Sequence, residues 1–213
     1  KVHEVPDVGP GGKGKSIANL VAMDPGERIA ALLAVKAFEP DRFIVMGSQK
    51  GVVKKTDLTA FSNPRAGGII AMGVEEDDRV MDVRLTDGQG QIFLGTRNGM
   101  AIRFPESDVR AMGRTAYGVR GISLRDDDEV VAMEVVRPAV GGEVPAPGPD
   151  LPEEGAGEGP VAPADAAGGT LLSVTENGYG KRTGMEEYRV QSRGGLGIIN
   201  IQTTERNGRV VAV

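Results

Sequence analysis

The sequence predicts an all-β protein, built as a propeller-like array in which about four blades are represented. Two observations lead to this fold class. The 213 residues include 32 Gly and 13 Pro but only 4% aromatic residues, a composition typical of a turn-dense β protein. A pattern of about four short strands also recurs roughly every 50 residues, which is the period of a propeller blade.

The first repeated element is a β-hairpin. Residues 44–56, 92–104 and 171–183 align without gaps, and each reads as an apolar strand, a polar turn and a second strand that carries a basic residue. Gly51, Gly99 or Gly178 closes the turn in each copy. Glycine between two apolar runs is a strong hairpin signal because it readily adopts the positive φ that such turns need.

The second repeated element is a strand that follows an acidic or Gly-rich turn. It is predicted to begin at Ile29, Val80, Val130 and Val210, at intervals of 51, 50 and 80 residues. The last interval shortens to about 50 when a Pro/Gly/acidic insert, residues 137–169, is removed. That composition cannot bury a core, so we expect the insert to be disordered.

The third repeated element is a Gly-rich basic loop between the hairpin and the acidic turn. Its four copies are residues 9–15, 63–68, 113–121 and 191–197. Together the three elements predict a single domain over residues 1–213. Its parts are a part-blade 1–41, a blade 42–91, a blade 92–136 completed after the insert, the insert 137–169 and a blade 170–213.

The charge of the chain is unevenly distributed. The formal net charge is -5, but the insert alone contains six acidic residues and one Arg, so the remaining 24 basic and 24 acidic residues balance. A nucleic-acid partner is therefore not excluded by the total. Cysteine is absent and no apolar run approaches the ~20 residues of a membrane span, which indicates an intracellular protein without disulfides.

The most obvious catalytic motif is the match of residues 9–16, GPGGKGKS, to a phosphate-binding P-loop. A P-loop must open a long helix, but Asp24-Pro25-Gly26 follows too soon, so we interpret the segment as a Gly-rich interstrand loop. His3 is the only histidine, and the acidic clusters 75–78 and 126–129 lie in predicted turns. We therefore expect no catalytic residue, no metal site and no cofactor in this chain.

The basic residues instead form two repeated columns, one on the second hairpin strand and one in the Gly-rich loop. In adjacent blades, equivalent positions line one surface and could contact successive phosphates. Aromatic residues do not alternate with them, which favours duplex DNA over stacked single strands. The predicted DNA-binding residues are Lys13, Lys15, Lys54, Lys55, Arg65, Arg103, Arg114, Arg120, Lys181, Arg182 and Arg193.

Four phrases of the sequence resemble the C-terminal domain of gyrase A, the DNA-cleaving component of DNA gyrase and a member of the type IIA topoisomerase family. They are GVVKKTDLTAF, VRAMGRTAYGVRGI, ENGYGKRT and TERNGRVV, in the family's order. The resemblance implies a six-bladed β-pinwheel whose blades exchange strands. It also implies a non-catalytic domain that wraps duplex DNA on a basic rim, so that the holoenzyme can introduce negative supercoils with ATP.

The resemblance further implies partners outside this chain. They are the rest of gyrase A and the whole of gyrase B, which form a heterotetramer in the bacterial cytoplasm, associated with the nucleoid. The cleavage tyrosine and the site that uses ATP and Mg lie elsewhere. No membrane or small-molecule substrate is implied.

The sequence departs from the family at its signature loop, Q-R-R-G-G-K-G. Residues 191–197 match five of its seven letters and residues 8–14 match four. The A-type component of topoisomerase IV, which has a similar domain, stays open as an alternative. A propeller-like fold could also act as a scaffold that binds protein partners on its rim, and this is the second alternative.

Overall fold

The computed structural model describes residues 5–21, 23, 26–65, 67–125, 127–137 and 169–213. His3 and residues 138–168 of the predicted insert lie outside these ranges. The described residues form antiparallel sheets joined by turns and short 3-10 segments. No helix in the described ranges is long and apolar enough to cross a membrane.

The described residues form eleven strands in three sheets. In chain order they are β1 (Phe43–Ser48), β2 (Val52–Asp57), β3 (Val80–Thr86), β4 (Gln91–Thr96), β5 (Met100–Pro105), β6 (Val119–Arg120), β7 (Val130–Val136), β8 (Thr170–Thr175), β9 (Gly180–Gly184), β10 (Ile198–Ile199) and β11 (Val210–Ala212). The sheet orders are β3-β1-β2-β6, β10-β5-β4-β7 and β11-β8-β9. The prediction of an all-β, propeller-like array of blades is confirmed.

Neighbouring repeats exchange an edge strand. The short strand β6 comes from the Gly-rich loop of the second repeat, yet it pairs with β2 of the first, with Val119 opposite Val53. In the same way β10 of the third repeat pairs with β5, with Ile198 opposite Ala101. Each of the first two sheets therefore takes its fourth strand from the next repeat.

A 3-10 turn follows the second strand of every hairpin. The three copies are Leu58–Phe61, Glu106–Asp108 and Met185–Glu187. Leu58 and Met185 are buried at the first position of their turns, and Glu106 is buried at the same position in the second repeat. The first residue of each turn therefore packs into the protein, while the next two residues are exposed.

Two of the hydrophobic clusters lie between consecutive sheets. Val45 and Val53 of the first sheet pack with Leu94 and Met133 of the second. A second cluster joins Phe93 of β4 to the third repeat. Burying a side chain of this size stabilises the fold by about 1.5–3 kcal/mol, so each sheet depends on its neighbour.

Inner and outer sides of the array follow from the strand contacts. The strands β3, β7 and β11 contact one another in sequence, so they lie on the inner side. The exchanged strands β6 and β10 occupy the opposite edges of their sheets. Ala111 and Val190 pair with Lys55 and Arg103 on this same side. We call this opposite side, formed by β6, β10 and the segments 110–118 and 189–197, the outer edge.

The structure confirms most of the predicted local elements. Gly51, Gly99 and Gly178 have φ values of 82°, 86° and 79°, and strands begin at Val80, Val130 and Val210 as expected.

The strand predicted at Ile29 is wrong, because residues 27–36 form no strand. No hairpin occurs among the described residues before Ile29, and a strand without a hydrogen-bonded partner leaves its backbone groups unpaired. Ser16 is followed by a three-residue 3-10 turn, Ile17–Asn19, rather than the long helix that a P-loop requires.

Candidate nucleic-acid interface

Lys54 lies inside the protein, not on its surface. Its side chain is fully buried, and its ammonium group donates to the carbonyl oxygens of Ala71, at 2.5 Å, and Arg114. Burial lowers the pKa of Lys54 to about 8, and the positive charge of Arg114 contributes to the same shift. This arrangement leaves no part of Lys54 accessible to a phosphate.

The equivalent positions Lys55 and Arg103 connect each repeat to the next. The Lys55 ammonium donates to the carbonyl oxygen of Glu106 at 3.1 Å and lies 3.6 Å from its carboxylate. The Arg103 guanidinium donates to the carbonyl oxygens of Met185 at 2.5 Å and Tyr188 at 3.1 Å. Both side chains therefore reach the 3-10 turn of the following repeat, which makes them interblade links.

The third copy of this strand position is exposed. Arg182 has no side-chain partner among the described residues, and its neighbour Lys181 is also exposed. Lys181 donates to the carbonyl oxygen of Asn200 at 2.9 Å, which still leaves part of its ammonium group open to solvent.

The loop arginines Arg114 and Arg193 make the same contact in successive repeats. Arg114 Nη1 donates to the carbonyl oxygen of Ile70 at 3.0 Å, and Arg193 Nη1 donates to that of Arg120 at 3.1 Å. Arg193 also donates through Nε to Asp108 O at 3.0 Å. These two side chains link each Gly-rich loop to the backbone at the end of the preceding Gly-rich loop.

The remaining predicted residues are exposed. Lys13, Lys15, Arg65 and Arg120 make no side-chain hydrogen bond or ion pair within the described residues. Arg120 lies on β6 at the outer edge, opposite Val52. It is the predicted residue whose placement best suits contact with a ligand outside the protein.

Two exposed arginines of the outer edge were not predicted from the sequence. Arg110 and Arg189 each follow the 3-10 turn, directly after buried Val109 and Tyr188. Neither makes a side-chain hydrogen bond or ion pair where the structure is described. Extending the gapless hairpin alignment by six residues would have placed these two arginines in one column.

The acidic turns hold the hairpin turns in place. Asp78 Oδ1 accepts from the Lys50 amide, and Asp128 Oδ1 accepts from the Asn98 amide, both at 2.9 Å. These carboxylates therefore have a structural role in the two turns. No group of side chains suited to a metal ion occurs within the described part of the chain.

Ion pairs at these turns also join successive repeats. Arg97 pairs with Glu129 at 3.1 Å and with Glu176 of the third hairpin turn at 3.2 Å. Hydrogen bonds to both carboxylates raise the pKa of Arg97, that to Glu176 contributing most. The end of the blades that carries the acidic turns thus has paired charges. In contrast, Arg110, Arg120 and Arg189 of the outer edge have no side-chain partner among the described residues.

Comparison with known families gives a match that extends along the chain. The family described as "DNA gyrase C-terminal domain, beta-propeller" matches residues 1–36, 42–87, 90–137 and 169–213.

Similar curated proteins carry the name of gyrase A. The chain is 41% identical to that of Haloquadratum walsbyi over all of its length and to that of Salmonella typhimurium over 99% of it. It covers 22% and 21% of these two proteins, so it spans about a fifth of the curated relatives it matches.

Solved structures with the same fold include two C-terminal domains. One, of DNA topoisomerase IV, has a TM-score of 0.76 and 27% identity, covering 98% of this chain and 56% of that one. The other, of DNA gyrase A, has a TM-score of 0.71 and 22% identity, covering 93% of this chain and 57% of that one.

Proposed function

Because the chain belongs to the DNA gyrase C-terminal domain family, we propose that it is a non-catalytic module that binds and wraps duplex DNA along its outer edge. The wrapped duplex allows a parent enzyme, formed with the rest of gyrase A and with gyrase B, to introduce negative supercoils using ATP. Cleavage and ATP hydrolysis take place outside this chain. The 41% identity to gyrase A proteins favours gyrase over topoisomerase IV.

The observation that carries this proposal is the repetition of exposed arginines on the outer edge. Arg110 and Arg189 occupy equivalent positions in successive repeats, and Arg120 lies on the exchanged strand between them. A guanidinium without a protein partner can donate to phosphate oxygens at no cost in lost protein contacts. Because these arginines recur once per blade, they can contact phosphates spaced along one duplex.

The local charge supports the same surface. Residues 105–125 contain four arginines and two acids, and one of the acids, Glu106, is buried beside Lys55. Most carboxylates of the repeat lie in the acidic turns, where several bind backbone amides or basic side chains. The outer edge is therefore positive although the whole chain is not.

Fewer basic residues are proposed to contact DNA than the sequence predicted. Lys54 and Lys55 are buried, and Arg103 is held by backbone carbonyls, so we assign these three a structural role. We propose that Arg110, Arg120 and Arg189 provide the main phosphate contacts, and that Arg182 extends them on the third blade.

Charge reversal on the outer edge tests the binding surface. The variant combines Arg110→Glu, Arg120→Glu and Arg189→Glu, and its affinity for a random-sequence duplex is measured by fluorescence anisotropy. We expect a loss of at least about tenfold, because three phosphate contacts become repulsions. The matched control reverses Arg28, Arg79 and Arg206, which lie outside the outer edge, and changes the net charge equally.

The control variant should bind the duplex almost as tightly as the parent. Equal losses in the two variants would mean that only net charge matters, and the proposed surface would be wrong. A circular dichroism spectrum with unchanged strand content shows that each variant is folded.

Ligation of nicked plasmid circles in the presence of the protein tests wrapping separately from binding. Wrapping in a handed sense shifts the linking number of the sealed circles, whereas binding without wrapping leaves the topoisomer distribution unchanged. We expect a shift that grows with protein concentration. Tight binding without any shift in linking number would be consistent with the proposed DNA-binding surface but would refute wrapping.

A further inference from the structure

Two tips of the Gly-rich loops expose a large apolar side chain at the same repeat position. Tyr117 is 61% exposed and Leu196 is 52% exposed. Their equivalence is fixed by a shared hydrogen bond, because the Gly73 amide donates to Ala116 O at 3.0 Å and the Ser123 amide to Gly195 O at 2.9 Å. Both loop tips therefore present an apolar side chain to solvent at the same structural position.

The charge beside these two tips is opposite. Two residues after Gly73 stands Glu75, and two residues after Ser123 stands Arg125. Both residues begin the acidic turn in the same way, since Glu75 O accepts from Asp78 at 3.0 Å and Arg125 O accepts from Asp128 at 3.1 Å. Glu75, Asp78 and Arg120 line one surface depression with Tyr117, so two carboxylates and one guanidinium surround the Tyr117 tip.

The Leu196 tip lies beside basic side chains. Arg193 in the same loop donates to the carbonyl oxygen of Arg120, and the Gly194 amide donates to Gly121 O at 2.6 Å. These contacts bring the Leu196 loop against β6, whose Arg120 is exposed. Arg120 and Lys50 also line one surface depression with Ser123, whose amide donates to Gly195 O of the Leu196 loop.

We propose that Leu196 is an apolar wedge that enters the minor groove of bound duplex DNA and opens a base step, while Arg120 and Arg125 bind the flanking phosphates. Proteins that bend DNA commonly place such a side chain between base steps and offset the unstacking by wrapping more duplex. Tyr117 takes no such role, because Glu75 and Asp78 share its depression and outnumber the single guanidinium there, that of Arg120, so the local charge repels phosphates. This inference rests on the proposed DNA binding.

The test compares the substitution of Leu196 with the substitution of Tyr117, its structural counterpart. The variants are Leu196→Ala and Tyr117→Ala, which remove exposed apolar side chains of similar burial from equivalent positions. DNA bending is measured by energy transfer between the ends of a labelled duplex, and unstacking by 2-aminopurine fluorescence. The salt dependence of affinity is measured in parallel.

We expect Leu196→Ala to reduce both the bend and the 2-aminopurine signal and to weaken binding by about three- to tenfold. Its salt dependence should match that of the parent, because no charge is removed. Leu196→Met should retain the bend, and Tyr117→Ala should behave as the parent.

Two results would overturn the wedge and leave the proposed function intact. One is duplex binding by Leu196→Ala with an unchanged bend, and the other is an equal loss of bending in Tyr117→Ala. A parent chain that binds no duplex at all would instead refute the proposed function, and the wedge with it.

Discussion

Lys54 is a buried base whose charge opposes folding at neutral pH. Its folded-state pKa of about 8 lies below the ordinary value of 10.5, so the unfolded chain binds more protons between these two pH values. Stability attributable to Lys54 is therefore lowest below pH 8 and rises as the pH increases towards 10.5. Between pH 7 and pH 9.5 this gain is about 2 kcal/mol.

We predict that the parent protein gains about this much unfolding free energy over that pH range relative to Lys54→Met. Urea denaturation of both proteins at the two pH values measures the difference. A constant difference between parent and variant would show that Lys54 is not charged and desolvated at neutral pH.

The buried pair Lys55–Glu106 gives a second prediction at this scale. Glu106→Leu leaves the Lys55 ammonium buried without its counter-charge, which should cost about 3–5 kcal/mol. Adding Lys55→Met removes the unpaired charge and should restore at least about 2 kcal/mol of that loss. Leu58 and Met185 occupy the equivalent position in the other repeats, so the site accommodates an apolar residue.

Chemical denaturation of the single and double variants measures this coupling. A double variant as unstable as Glu106→Leu alone would mean that Glu106 acts through its bonds to Thr86, at 2.6 Å, and the Gly90 amide rather than through Lys55.

The residue types predicted the basic columns but not the burial of their members. Lys and Arg carry long apolar stems, so a basic residue on a strand can either face solvent or span an interface to reach a carbonyl. The residue that distinguishes a buried from an exposed basic side chain is its partner. Glu106 is a charged residue at a repeat position that is otherwise occupied by Leu58 and Met185. A lone acid at an apolar position indicates a buried basic partner, here Lys55.

The hairpin is the element that the sequence predicted best, because its turn chemistry is local. Gly51, Gly99 and Gly178 share a positive φ that L-residues adopt only at a cost. Their surroundings differ, however. A Cβ on Gly99 would overlap the carbonyl oxygen of Ile201 in the exchanged segment, whereas one on Gly178 would lie in open space.

We therefore predict that Gly178→Ala costs about 1–2 kcal/mol through φ strain alone, and that Gly99→Ala costs at least about 2 kcal/mol more. Thermal and urea denaturation of the matched pair measures the difference. Equal losses would show that the segment around Ile201 moves away freely and does not pack against the second hairpin.

The exchanged strands were not predictable from the residue pattern alone. Each of β6 and β10 has two residues, too few for a period of two to be visible. Their partners lie in the preceding repeat, so pairing depends on contacts distant in sequence. The resemblance to a known family implied the exchange, and the pairing of Val119 with Val53 now locates it.

At the scale of the whole molecule, the contacts between neighbouring blades determine where the exposed arginines of the outer edge lie. The cores between sheets, the Arg103 link and the ion pairs of Arg97 hold neighbouring blades in a fixed relation. The spacing of exposed arginines on the outer edge is therefore set by the blades themselves. A rigid array of phosphate contacts is what bending a stiff duplex requires.

The salt dependence of duplex affinity tests the central claim, that outer-edge arginines bind phosphates, most directly. Each phosphate contact contributes about 0.9 to the slope of log K against log salt concentration, so replacing Arg110, Arg120 and Arg189 by Ala should lower its magnitude by about 2.7. Lys54→Met, which removes a buried charge, should leave the slope unchanged. An unchanged slope in the triple variant would contradict the account.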